Sequence, residues 1–326
     1  MDPFSTWGLD LIRALQNLGT WLLTPMQAFT FLGNEIFFMV ALPLIFWCVN
    51  KALGRDLALL LALANFFNGL VKELCRLPRP FWVDSRLALS AETSFGLPSG
   101  HAMNTTTLFG YVATRLQRPW RWLPIVIILL VSISRLYLGM HFPGDVLGGW
   151  VLGALLLAGA IWLRPRAAAW LHGLPLGTHV VLALAAALAV LGLYTLVLAL
   201  PGGDRQTYGL LLFAEAQEAT REGSGTLAGM FFGLWVGLVV EARYVRFATA
   251  GPLWQRALRY LLGMIGVVGL WAGLKAIFPA EPYGTGLALR AVRYALMMLW
   301  TTWFWPWLFM RIGLGQSDAI GPAGRR

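Results

Sequence analysis

Nine long apolar runs constrain this chain more than any other feature it carries. They lie at roughly 34–52, 57–76, 99–117, 121–139, 145–163, 177–200, 223–245, 255–277 and 288–312, and each approaches the ~20 residues an α-helix needs to cross a bilayer. The expected fold is all-α: a polytopic integral-membrane helical bundle of about nine transmembrane helices. Composition agrees. Of 326 residues, 58% are hydrophobic and only 12% charged, too little charge to cover a soluble surface of this size. Sixteen Trp and nineteen Phe suit aromatic belts at the two membrane interfaces.

The net charge of +10 could point to nucleic acid, but no polar domain presents a basic stripe. Anionic head groups and a phosphate-bearing substrate are the better partners. Cys48 and Cys75 sit in or beside apolar segments without metal-ligand spacing, and read as packing residues. The N-terminus lacks a basic stretch and carries Asp10, so it does not read as a cleavable signal peptide. Instead Phe4, Trp7, Leu11, Leu15, Leu18 and Leu22 recur at helical spacing. Residues 1–33 are therefore expected to form an interfacial amphipathic helix, with a crossing over 11–32 as the alternative. Residues 34–200 form the expected catalytic helical core, and 201–326 add further C-terminal transmembrane helices.

Basic residues orient the chain. With the polar loop 77–98 on one side, fourteen of the 25 basic residues, from Lys51 and Arg55 to Arg325 and Arg326, fall on the other. The positive-inside rule then puts loop 77–98 on the non-cytoplasmic face, and the expected location is a cell (inner) membrane; Arg290 and Arg293 count against this orientation.

Three clusters hold nearly all the informative polar residues, and this topology brings them to one face. The first runs from Lys72 to Arg79 and Pro80, where Pro78 and Pro80 end a helix. Alone, its two cations could equally be snorkelling side chains. The second is Pro98-Ser99-Gly100-His101, just before an apolar helix. Free N–H groups at such a start, with the helix dipole behind them, cradle an anion; an ordinary N-cap is the plainer reading. The third is Ser134-Arg135 followed by His141 and Asp145. Arg135 inside an apolar helix needs an anionic partner. A carboxylate four residues after His141 can take its Nδ1 proton and leave Nε2 free, although a structural His–Asp pair would look the same. Together, three cations, a helix N-terminus and two histidines make a phosphate site with a nucleophile and an acid. No metal-binding motif, Walker loop or GxSxG is present.

Lys72 with six residues before Arg79-Pro80, then Pro98-Ser99-Gly100-His101, then Ser134-Arg135 with five residues before His141 and three before Asp145, resembles the three-part signature of the type 2 phosphatidic acid phosphatase superfamily. The resemblance implies a helical core of that type and a lipid phosphate phosphatase without cofactor or metal. It implies that His141 attacks phosphorus to form a phosphohistidine, that Asp145 orients it, and that His101 protonates the leaving oxygen. Lys72, Arg79, Ser99, Gly100 and Arg135 would hold the phosphoryl oxygens, with Pro80, Pro98 and Ser134 in support. A narrower likeness, carried by Gly33-Asn34-Glu35, Phe46-Trp47, Leu77-Pro78-Arg79-Pro80 and Phe95 to Met103, is to the sphingosine-1-phosphate phosphatase branch, which usually has Thr where Gly100 stands. Polyprenyl pyrophosphates and phosphatidate-type lipids are the other expected substrates. A transporter would instead keep its polar residues near the midplane.

Overall fold

The structure is a computed structural model describing residues 3–202 and 210–318; Arg325 and Arg326, counted in the charge argument, lie outside the described residues. No β-strand occurs among the described residues. The helices are α1 (Pro3–Gln16), α2 (Leu23–Phe31), α3 (Glu35–Leu44), α4 (Lys51–Cys75), α5 (Pro80–Val83), α6 (Gly100–Arg115), α7 (Trp122–Tyr137), α8 (Pro143–Leu171), α9 (Leu176–Ala199), α10 (Leu210–Val240), α11 (Leu253–Val268), α12 (Leu274–Ile277), α13 (Tyr283–Leu299) and α14 (Trp305–Arg311).

Among the described residues six helical stretches are long and apolar enough to cross a membrane: Lys51–Val83, Arg118–Tyr137, Pro143–Leu171, Leu176–Ala199, Leu211–Val245 and Leu253–Ile277. A seventh is added if Thr20–Phe31 and Glu35–Val49, bent by 49°, count as one span. The expected nine exceeds this number for local reasons. Helix α6 has only 16 residues, and the last apolar run, although helical from Tyr283 to Arg311, is diluted by Thr301, Thr302, Pro306 and several tryptophans. Along α8, Leu147, Val151, Leu155 and Trp162 are all exposed. An apolar surface of that extent needs lipid or protein against it rather than water.

The chain forms two compact units. The first comprises Met1–Phe38, Leu63–Trp170 and Tyr194–Arg221; the second comprises Met39–Ala62, Leu171–Leu193 and Glu222–Arg326.

In the first unit, α2 and α6 both pack on α7, and Met26, Tyr137, Leu138 and Met140 form a buried cluster. Helix α1 stops before Gly19, whose φ of +123° breaks the chain direction, so residues 11–32 are not one helix. Leu9 and Ile12 bury against Leu87. On the polar side of α1, Arg13 pairs with Asp84 at 3.0 Å and the Gln16 amide donates to the carbonyls of Leu87 and Tyr137. Its polar face thus binds the loop that follows α5.

The second unit packs around Trp47, Phe247, Trp305 and Phe309. Arg259, fully buried, donates to the carbonyls of Leu314 at 2.7 Å, Trp47 at 2.9 Å and Ala248 at 3.2 Å. Backbone dipoles there replace the water its charge would lose. Gly225, Gly229 and Gly233 recur every fourth residue on α10 and meet Leu287, Ala291 and Ala295 of α13, the close approach that small residues permit between membrane helices. Lys51 pairs with Glu241 at 3.1 Å and Arg290 with Glu222 at 2.5 Å, while Arg243 donates to the Leu174 carbonyl. His179 is buried and accepts from the Trp235 indole at 3.2 Å.

Candidate active site

All eleven residues of the three clusters belong to the first unit. Helix α4 ends at Cys75, and Arg76 follows in the left-handed region with φ of +48°. A non-glycine residue holds that conformation only when its surroundings fix it. Here the Arg76 guanidinium pairs with Glu73 at 2.9 Å and donates to the carbonyls of Val197, Leu200 and Gly202 at the end of α9. A cation at a helix C-terminus also suits the dipole. With Arg76 anchored, Lys72 on one side and Arg79 on the other are held in place. Pro80 then starts α5, where the missing N–H costs nothing.

The second cluster is an N-terminus. Ser99 caps α6, its hydroxyl accepting from the Ala102 N–H at 3.4 Å. Gly100 faces Asn68, whose amide donates to the Pro98 carbonyl at 3.2 Å. Helix α8 approaches this start closely because Gly149 and Gly153 carry no side chain; a Cβ on Gly149 would stand 2.7 Å from the Ser99 carbonyl oxygen. His101 lies in the first turn of α6 and packs against Gly33, where a Cβ would stand 2.7 Å from its ring.

Asp145, in the first turn of α8, ties the third cluster to the second. Its carboxylate accepts from the Phe142 N–H at 2.9 Å and stands 3.3 Å from His141 Nδ1, while its carbonyl accepts from the Ser99 N–H at 2.9 Å. On the other edge of the ring, Arg79 Nη1 lies 3.3 Å from His141 Nε2. A guanidinium can only donate, so this contact leaves Nε2 as acceptor and the proton on Nδ1, toward Asp145. His141 is held well below the usual histidine range, first by burial and then by the charges of Arg79, Lys72, Arg135 and His101. Its lone pair is therefore free under mildly acidic conditions. If His141 is the nucleophile, the acid limb of kcat/KM should lie below pH 6.5, the value of an unperturbed histidine. A pH–rate profile that falls already at neutral pH would contradict this. The same shift makes folding stability fall as pH drops below about 6.5, because the unfolded chain then takes up a proton that the folded site refuses.

Arg79 is nearly inaccessible and firmly anchored. It donates to the Met140 carbonyl at 2.9 Å, the Ser94 hydroxyl at 2.8 Å and the Ser94 carbonyl. Lys72 donates to the carbonyls of Phe95 and Gly96. Arg135 donates to Thr30 Oγ1 at 2.9 Å. Ser134 serves its own helix, its hydroxyl donating to the Val131 carbonyl at 2.6 Å.

Glu92 is absent from the sequence reading. Its carboxylate lies 3.4 Å from Arg79 and pairs with Arg135. Burial would raise its carboxyl, but Arg79, Arg135, His101 and Lys72 outweigh that and hold it well below the usual carboxylate range. The available signal was elimination. Asp84, the other acid in loop 77–98, sits among Arg13 and Arg86, leaving Glu92 to answer the buried cations. Among the described residues no group of three or more His, Cys, Asp or Glu side chains could hold a metal ion.

A family model for the PAP2 superfamily matches residues 53–169, and one for the PAP2 superfamily phosphatase transmembrane extension matches residues 225–317. Sphingosine-1-phosphate phosphatase 2 of Mus musculus is 35% identical over 135 residues, covering 39% of this chain and 38% of that protein. The chain thus spans well under half the length of that relative. Phosphatidylglycerophosphatase B of Bacillus subtilis is 33% identical over 150 residues, covering 42% of this chain and 72% of that protein. A crystal structure of a transmembrane PAP2 type phosphatidylglycerolphosphate phosphatase from Bacillus subtilis aligns with a TM-score of 0.43 at 28% identity, over 51% of this chain and 88% of that one.

Proposed function

The chain belongs to the PAP2 superfamily, and we propose that it is a membrane phosphatase that hydrolyses the phosphate ester or pyrophosphate of a lipid through a phosphohistidine, without a metal. The observation that carries this reading is His141, with Nδ1 toward Asp145 and Nε2 toward Arg79. In the first step Nε2 attacks phosphorus and the bond to the lipid oxygen breaks, with His101 supplying the proton that oxygen needs. In the second step His101 takes a proton from water, whose oxygen attacks the phosphohistidine and releases phosphate. Lys72, Arg79 and Arg135, with Ser99 and the Gly100 N–H, balance the charge that builds on the phosphoryl oxygens.

The names of the two relatives support a lipid phosphomonoester, and sphingoid-base phosphate, phosphatidate-type lipid and polyprenyl pyrophosphate are the substrates to compare. In this reading residues 34–200 are the catalytic core, flanked by the N-terminal segment 1–33 and the additional helices of 201–326. The excess of basic residues on the opposite side supports a site on the non-cytoplasmic face of a cell (inner) membrane.

Protein purified in detergent with EDTA should release phosphate from that panel, and vanadate should inhibit it by imitating five-coordinate phosphorus. A strict metal requirement would overturn the mechanism. His101→Ala should slow turnover by about 10²–10⁴-fold, the usual contribution of a general acid, while vanadate still binds. A variant with unaltered kcat would remove His101 from the reaction.

A further inference from the structure

One oxygen of Glu92 is shared by two guanidiniums, that of Arg79, which touches the His141 ring, and that of Arg135. It lies 3.4 Å from Arg79 Nη1 and pairs with Arg135 Nη2, and the same Arg79 nitrogen is 3.3 Å from His141 Nε2. A phosphoryl oxygen bound by both arginines next to His141 would need this position. We propose that Glu92 is the resident anion of the phosphate site: it neutralises Arg79 and Arg135 when the site is empty, and a phosphate ligand must displace it. The proposal rests on the reading of Arg79 and Arg135 as phosphate ligands.

The three partners differ in their freedom to move. Arg79 is tied to Met140 and Ser94, and Arg135 to Thr30. Their side chains are 1% and 4% exposed, whereas that of Glu92 is 31% exposed and stands on the loop between α5 and α6. The acid is the member able to withdraw toward solvent, leaving both cations in place.

An internal competitor lowers the apparent affinity of every ligand by one common factor, the fraction of time the site stands open. Glu92 therefore sets a threshold rather than a preference. A phosphomonoester carrying nearly two charges still binds above that threshold. A singly charged phosphodiester lipid, held less tightly by the two arginines to begin with, is weakened by the same factor and falls below it. Product phosphate meets the same competition, which favours its release.

The test measures binding of inorganic phosphate, vanadate and sulfate to the full chain in detergent, by calorimetry, for wild type, Glu92→Gln and Glu92→Ala. All three anions should bind more tightly to both variants, by a shared factor on the order of tenfold. Unchanged or weaker binding would overturn the proposal, and so would tightening of one anion alone. The wild-type protein offers a check that needs no variant: amide exchange across residues 88–94 should rise when vanadate binds. Exchange that stays constant or falls with the site occupied would equally count against displacement. None of these readouts requires turnover. A chain that hydrolyses no lipid phosphate, yet shows the shared tightening, would keep this inference and lose the proposed activity.

Discussion

His141→Ala should release no phosphate from any lipid that the wild-type protein hydrolyses, a loss of about 10⁴-fold or more. No other side chain in the cluster combines an unprotonated nitrogen with a carboxylate holding the opposite edge of the ring. Removing it deletes the covalent step, and His101 has no comparable orienter to take over that step. The site has little reason to unfold around the change, since Asp145 keeps its bonds to the Phe142 and Ser99 amides. Rapid acid-free quenching of the wild-type reaction with radiolabelled substrate should trap label on the protein, and the variant should trap none. Substantial turnover by the variant would dismiss the phosphohistidine.

Arg79→Lys should be the next most damaging change, lowering kcat/KM by about 10²–10³-fold. The substitution keeps the charge, so a purely coulombic role would survive it. What it loses is the fork. Arg79 reaches Met140, Ser94 and the His141 ring from one planar group, and an ammonium on a flexible stem cannot reproduce that span. Each buried carbonyl left without its donor costs ~1–3 kcal/mol, so a lowered thermal midpoint should accompany the kinetic loss. Vanadate affinity separates the two effects: it should drop along with kcat/KM if Arg79 grips the phosphoryl group. A lysine variant within a few-fold of wild type in both would reduce Arg79 to a generic positive charge.

Much of this site was legible before any coordinate. Pro78 and Pro80 announce where α4 must stop, and Ser99 ahead of Gly100 announces where α6 begins. The spacing of four between His141 and Asp145 puts ring and carboxylate in reach across one turn. These are local rules, so sequence carries them. Glu92 was not legible, because its meaning comes from Arg79 and Arg135, thirteen and forty-three residues away in the chain. Arg76 was likewise missed, since its carbonyl partners come from the far end of α9. Among the described residues six stretches, or seven with the bent pair, have the length and hydropathy of a crossing, fewer than the nine apolar runs of the sequence because apolar character outruns helix length, as in α6. Late in the chain, Glu241, Arg243 and Arg290 have partners within the second unit that lie far from them in sequence.

Asp145 serves two masters through different atoms. Its side chain meets the His141 imidazole and its main-chain oxygen meets the amide that opens α6, so a single residue sets the gap between attacking nitrogen and anion cradle. The attack distance is then independent of whatever the outer helix surfaces touch. Exposed positions of α8 such as Leu147, Val151 and Leu155 can then vary in bulk without moving the His141–Asp145 pair. A fold organised this way insulates the geometry of the polar cluster from change on the outer helix surface.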